Sequence, residues 1–144
     1  MAFLARRLDR PELLAAAYPP ARQAMREEVG ITAILAAALG PHDTYVDVGT
    51  NRGQVLAEAV RIAPHGRHIA FEPIPALADQ VRHRFPSVDC RSLAIGARRE
   101  QTEFTHFRKL DGWSGLRRNS EISDERGDPE LIDVQVSTLD HELA

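Results

Sequence analysis

Cysteine is almost absent from this sequence, because Cys90 is the only one in 144 residues. A single cysteine excludes an internal disulfide and any metal site built from paired cysteines. The N-terminus has no apolar run as long as a signal-peptide core, and no stretch of the sequence approaches the length of a membrane span. The net charge of −3 gives no general attraction to nucleic acid or to an anionic membrane. These absences favour a cytoplasmic protein in a reducing environment, with neither nucleic acid nor membrane as a partner.

The composition that remains is that of a globular protein, with 43% hydrophobic and 27% charged residues. Residues 1–43 are predicted to form an N-terminal helical segment. It contains a short apolar patch at 13–17 and a longer alanine-rich helix from Ala21 to Leu39, which Gly40-Pro41 should end. Residues 44–144 are predicted to form an α/β domain.

The domain is organised around the stretch from Thr44 to Gly53. A short β-prone run carries one acid, Asp47, and then breaks at Gly49. Beyond Gly53 a helical pattern begins, with apolar residues at the spacing of one helix face: Val55, Leu56, Ala59 and Val60. A strand, a glycine turn and a helix in this order are typical of a site for a nucleotide-like ligand in an α/β sheet.

A second acid ends the next predicted strand. Glu72 follows the apolar run Ile69-Ala70-Phe71 and lies 25 residues after Asp47. An acid about 20 residues beyond the glycine turn binds the ribose hydroxyls in many nucleotide sites. A carboxylate accepts two hydrogen bonds and therefore suits a cis-diol.

The rest of the domain extends this pattern. Strands are predicted at about 44–48, 67–72 and 88–93, separated by helices at 53–62 and 75–84. This βαβαβ series predicts a parallel sheet of the Rossmann-like kind. An alternating strand at 102–107, a turn at 111–115, a polar loop at 117–128 and a last strand at 131–136 predict an extra β-hairpin-like region. Ser137 or Thr138 could cap a final helix.

The spacing of the glycine turn discriminates between cofactors. A dinucleotide fingerprint has glycines at three positions, whereas here Asn51 stands two residues after Gly49 and the third glycine is absent. The pattern Asp-x-Gly-x-x-x-Gly instead resembles the first motif of class I S-adenosylmethionine-dependent methyltransferases. A nicotinamide-dependent oxidoreductase therefore stays as the less favoured alternative.

Five segments together resemble the FkbM family of methyltransferases. They are Tyr45–Gln54, Ala70-Phe71-Glu72-Pro73, Leu93-Ala94-Ile95-Gly96, Gly112-Trp113-Ser114-Gly115-Leu116 and Val136-Ser137-Thr138-Leu139-Asp140. The resemblance implies the N-terminal half of a class I methyltransferase fold, S-adenosylmethionine as cofactor, and methyl transfer to a hydroxyl of a sugar or secondary metabolite.

The same resemblance implies roles for the side chains or backbone of individual residues. The residues expected to line the methionine end of the cofactor are Asp47, Gly49, Thr50, Asn51 and Gly53. Glu72 is expected to accept hydrogen bonds from the ribose hydroxyls. The backbone of Leu93–Ile95 is expected to lie beside the edge of the adenine. No catalytic base and no metal ligands are assigned, because no histidine or acid has a spacing that argues for either role.

The sequence departs from this family at its end. The family continues beyond the Thr-Leu-Asp motif with a strand that carries Lys-x-Asp-x-Glu-Gly and with further strands. We therefore expect a C-terminally truncated member, in which the strand Tyr45–Val48 forms an unpaired sheet edge that favours self-association. A non-catalytic remnant that still binds cofactor is the second alternative.

Overall fold

The computed structural model describes residues 30–107 and 130–144. These ranges hold four helices and six strands. In chain order they are α1 (30–38), β1 (Val46–Val48), α2 (Gln54–Ile62), β2 (Ile69–Phe71), α3 (Pro75–Arg84), β3 (Asp89–Arg91), β4 (Ala94–Ile95), β5 (Glu100–His106), β6 (Glu130–Ser137) and α4 (Leu139–Leu143). The predicted helix at 13–17, the turn at 111–115 and the loop at 117–128 lie outside the described residues. None of the described helices is long and apolar enough to cross a membrane.

The first sheet confirms the predicted βαβαβ series. Strands β1, β2 and β3 lie in that order and all run parallel. The register pairs Asp47 with Ala70 and Val48 with Phe71, so the residues that follow β1 and β2 meet at one edge of the sheet. Strand β1 pairs only with β2 in the described part of the chain, as expected for an edge strand.

A second sheet has the order β4-β6-β5. Strands β5 and β6 are antiparallel, which confirms the hairpin-like region, whereas β4 runs parallel to β6. The prediction of one strand over 88–93 is wrong in its second half, because β3 ends at Arg91. The Leu93 N–H turns back to donate to the Arg91 carbonyl at 3.1 Å, which breaks the ladder before β4 begins in the other sheet.

Helix α3 joins the two sheets because it contributes to two apolar clusters. Its Ala78 and Val81 pack with α2, β2 and β3 around Leu56, Ala70, Val88 and Cys90. Leu77 and the preceding Ile74 pack against the second sheet with Ala94, Phe104, Val134 and Val136. Cys90 is a buried core residue.

Hydrogen bonds from one arginine connect the final helix to the first sheet. Thr138 caps α4, since its side chain accepts a hydrogen bond from the His141 N–H at 3.3 Å. From β3, Arg91 donates to the Glu142 carboxylate at 2.8 Å and to its backbone carbonyl at 2.7 Å. Arg91 therefore links α4 to the end of β3.

Candidate functional site

The glycine turn is a tight loop at the carboxyl end of β1. Three of its residues have positive φ: Gly49 at +76°, Asn51 at +52° and Gly53 at +74°. Such left-handed conformations favour glycine and, after it, asparagine, because a Cβ atom crowds the following carbonyl. The sequence Gly-Thr-Asn-Arg-Gly therefore determines the shape of the loop locally.

The amide groups of this loop donate to the protein itself. The N–H groups of Gly49 and Thr50 both donate to the Phe71 carbonyl, at 2.9 and 3.1 Å. The Gly53 N–H donates to the Thr50 carbonyl at 2.8 Å, and the Asn51 N–H donates to the Glu72 carboxylate at 2.8 Å. The loop is thus held by internal hydrogen bonds and does not present these four donors outward.

Glu72 holds the loop and the following helix together. Its side chain lies directly beyond β2, and the residue is only 3% exposed. While one carboxylate oxygen accepts from Asn51, the other accepts from the Ile74 N–H at 2.9 Å, where α3 begins. Hydrogen bonds to a charged acceptor contribute about 1.5–3 kcal/mol each. Glu72 therefore has a structural role, while its predicted role toward ribose hydroxyls stays a prediction.

At the carboxyl edge of the first sheet, the Asp47 carboxylate forms no ion pair among the described residues. One of its oxygens accepts from the Thr50 hydroxyl at 2.5 Å, and the other from the Tyr45 hydroxyl at 3.4 Å. Burial raises the pKa of Asp47, although both hydrogen bonds act to lower it. Burial also raises the pKa of Tyr45, as does the neighbouring carboxylate. A half-buried carboxylate of this kind is a favourable contact for a cation.

All six predicted site residues lie at this one edge, but they differ in exposure. Gly49 is exposed, and Asp47 and Asn51 are half-buried, so these three form its surface. Thr50 and Glu72 are buried and support the loop from within. Gly53 is also buried, and a Cβ atom there would lie 2.7 Å from Phe85 Cε2. Close packing on Phe85 is thus sufficient to explain the second glycine of the motif.

His68 is an important residue that the sequence did not identify as buried. It is 3% exposed and lies directly before β2, at the amino-terminal end of that strand. Its Nδ1 accepts from the Tyr45 N–H at 3.2 Å, and its Nε2 lies 2.9 Å from the Ala63 carbonyl. These partners assign the hydrogen to Nε2 in a neutral ring. A histidine just before an apolar strand was the signal for such a structural role.

No metal site accompanies the loop. In residues 30–107 and 130–144, no group of three or more histidine, cysteine, aspartate or glutamate side chains is placed to hold a metal ion. Trp113, which belongs to one of the five segments of the family resemblance, lies outside these ranges.

A separate cleft of about 270 Å³ opens beside the second sheet. Its lining residues come from β5, β6, α4 and the neighbouring turns: Leu93, Arg99, Glu100, Gln101, Gln135, Val136, Ser137 and Glu142. It shares no residue with the glycine loop. The sequence did not predict this cleft, although Ser137, a polar residue at the end of β6, could have indicated a polar surface there.

Comparison with models of protein families found no match for this chain, and comparison with curated proteins found none either. These comparisons therefore add no support to the resemblance drawn from the sequence motifs. What is established here is an α/β fold with a three-stranded parallel sheet and a structured glycine loop at its carboxyl edge.

Proposed function

We propose that this chain binds S-adenosylmethionine at the glycine loop, in the manner of a class I methyltransferase. The observation that carries the proposal is the combination of a loop whose amides are internally bonded with a half-buried Asp47 carboxylate beside it that forms no ion pair among the described residues.

The bonding of the loop amides bears on the choice between cofactors. A pyrophosphate group needs several backbone N–H donors or cationic side chains directed at it. The amides of Gly49, Thr50, Asn51 and Gly53 already donate within the protein. A dinucleotide would have to break some of these bonds, so a nicotinamide cofactor fits this loop poorly.

The charge of Asp47 supports a cofactor with a cationic end. The methionine part of S-adenosylmethionine carries an ammonium group beside the sulfonium. Asp47 can accept from that ammonium group while it keeps its bond from the Thr50 hydroxyl. Gly49, where a Cβ atom would meet nothing within 4 Å, leaves open space above the loop. Asn51 offers a side-chain amide on the same surface.

The cofactor, when bound, supplies an activated methyl group and its leaving group, and the chain supplies binding and orientation. Methyl transfer to a hydroxyl would leave S-adenosylhomocysteine as the product and would release the hydroxyl proton to solvent. The acceptor is proposed to be a hydroxyl of a small molecule such as a sugar or secondary metabolite. No described residue is assigned as the base for that proton.

Calorimetry with S-adenosylhomocysteine and with NAD tests the proposal. We expect S-adenosylhomocysteine to bind and NAD to bind weakly or not at all. Asp47→Asn should weaken binding of S-adenosylhomocysteine about tenfold, the loss of one charge-assisted hydrogen bond. Asp133→Asn, which changes an exposed acid on β6, is the matched control and should have no effect.

Binding of NAD alone would contradict the proposal and favour the oxidoreductase alternative. Binding of S-adenosylhomocysteine without any formation of it from S-adenosylmethionine, across a set of hydroxylated acceptors, would favour the non-catalytic remnant.

A further inference from the structure

The cleft beside the second sheet is lined by polar groups that the protein leaves unused. Gln101 on β5 and Gln135 on β6 are register partners and therefore share one face of the sheet. It is the face opposite to Val134 and Val136, which pack into the core. Neither glutamine side chain makes a hydrogen bond to another described residue. The floor of the cleft thus offers two amide groups that can each donate and accept.

Ser137 adds a buried hydroxyl to the same face. The residue is 5% exposed, and its Oγ has no well-aligned hydrogen bond in the described part of the chain. It lies close enough to Glu142 to help hold the pKa of that carboxyl below its ordinary value, a shift to which Arg91 adds. Buried polar atoms are almost always hydrogen-bonded, so an unsatisfied one beside a cleft points to a ligand.

Charges of both signs line the cleft without neutralising each other. Arg99 is exposed and pairs with no acid among the described residues, whereas its neighbour Arg98 pairs with Glu100 at 2.8 Å. Glu142 forms an ion pair with Arg91, and Arg91 also forms an ion pair with Asp89 at 2.7 Å. Because Arg91 is shared between two acids, the cleft keeps negative character at Glu142 and positive character at Arg99.

We propose that this cleft binds a small zwitterion of the α-amino acid class. The carboxylate of the ligand pairs with Arg99, its ammonium group faces Glu142 and the Ser137 hydroxyl, and its polar side chain contacts Gln101 and Gln135. Typical small-molecule sites are about 300–1,000 Å³, so a cleft of about 270 Å³ limits the ligand to a small molecule. The inference does not depend on cofactor binding at the glycine loop.

Three matched ligands test the two charges separately. L-serine has both charged groups, 3-hydroxypropanoate lacks the ammonium group, and ethanolamine lacks the carboxylate. Each is titrated into the full chain while the side-chain amide signals of Gln101 and Gln135 are followed by NMR. We expect saturable shifts with L-serine and an affinity about tenfold or more above either fragment, because each fragment loses one charged contact.

Variants then assign the contacts. Arg99→Gln should weaken L-serine about tenfold and leave ethanolamine unchanged, whereas Arg98→Gln, the matched control outside the cleft, should change neither. Ser137→Ala should weaken L-serine and ethanolamine without lowering the melting temperature, since it removes a hydroxyl that the folded protein does not satisfy.

Several results would overturn the inference. They are the absence of a saturable shift with L-serine, equal affinity for L-serine and its fragments, and an equal effect of Arg98→Gln and Arg99→Gln. The last result would show that only the overall charge matters.

Discussion

The glycine loop and the cleft beside the second sheet differ in how far their polar groups are hydrogen-bonded within the protein. In the loop, four backbone amides donate to the loop itself, to β2 or to Glu72, and the second oxygen of Glu72 accepts from the start of α3. In the cleft, Ser137 is buried without a well-aligned hydrogen bond, and Arg99 has no acidic partner in the described ranges. The polar groups of the loop are therefore satisfied within the protein, whereas those of the cleft are available to a ligand.

This difference teaches that a recognisable motif and an available binding surface are separate properties. The residues that make the loop motif conspicuous in the sequence, Gly53 and Glu72 above all, are buried and support the structure. The surface that a ligand can reach is smaller and is formed by Asp47, Gly49 and Asn51. The cleft has no motif, yet its unused donors and acceptors are the kind that ligands satisfy.

The largest effect on stability is expected from removing the Glu72 carboxylate, which holds the glycine loop and the start of α3 together. Glu72→Ala leaves the part-buried Asn51 N–H and the buried Ile74 N–H without their acceptor, and each unsatisfied buried donor costs about 1–3 kcal/mol. We expect the free energy of unfolding to fall by about 3 kcal/mol, measured by urea denaturation. The role expected for Glu72 toward the ribose hydroxyls concerns cofactor binding, whereas its hydrogen bonds to Asn51 and Ile74 add a cost in folding.

Glu72→Gln is the matched control for that prediction, because an amide keeps one acceptor oxygen. Its loss of stability should be intermediate. Equal stability of Glu72→Ala and the unchanged protein would contradict the role of Glu72 as a link between the loop and α3.

A pair of glycine substitutions separates packing from backbone conformation. Gly49 and Gly53 have nearly the same φ, +76° and +74°, but only Gly53 lies against Phe85. Gly49→Ala should cost about 1 kcal/mol from the left-handed conformation, whereas Gly53→Ala adds a clash and should cost about 2–3 kcal/mol. Denaturation curves of both variants give the comparison, and equal losses would show that the contact with Phe85 is unimportant.

The edges of the two sheets suggest a third experiment. Strand β5 carries charged, exposed Glu100 and Glu103, which discourage pairing with another chain, whereas β1 exposes Val48 at 52%. We expect self-association through β1, and we expect Val48→Lys to reduce it with little change in stability. Light scattering over a concentration series measures both, with Leu131→Lys on the second sheet as the control. A monomer at all concentrations would contradict this expectation.

The smallest effect concerns the titration of Asp47. Burial raises its pKa in the folded state, so the folded protein holds this proton more tightly than the unfolded chain does. Its contribution therefore favours folding at acidic pH and is lost as the pH rises through the raised pKa. Asp47→Asn should remove this dependence, so the variant should gain stability relative to the unchanged protein on going from acidic to neutral pH. Urea denaturation at both pH values, with Asp133→Asn as control, checks the direction.

The order and type of the elements were predictable where the sequence repeats clearly. The helices at 54–62 and 75–84 and the parallel pairing of three short strands follow from apolar spacing, from glycine and proline at the boundaries, and from the βαβ connection. Asp47 and Glu72 were predicted at neighbouring strand ends, and the register confirms that position. These features depend on residues close together in the chain.

The split after Arg91 could not be predicted in this way. The run from Val88 to Leu93 looks like one strand, but β4 leaves the first sheet to pair with β6, about 40 residues later. Gly96 allows that pairing to be close, because a Cβ atom there would lie 2.6 Å from Val136 Cγ1. Which strand lies beside which is decided by packing between distant segments.

By itself the sequence determined the local conformations: the left-handed glycine loop, the helix boundaries and the alternation of β6. The tertiary structure decided which polar groups are satisfied. Glu72 became a buried link because the loop and α3 meet at its carboxylate, and His68 became a structural residue because β1 and the end of α2 face its two nitrogens. Ser137 lies near Glu142 of α4, yet its Oγ has no well-aligned hydrogen bond among the described residues. Local backbone preferences act over a few residues, whereas hydrogen-bond satisfaction depends on groups that only folding brings together.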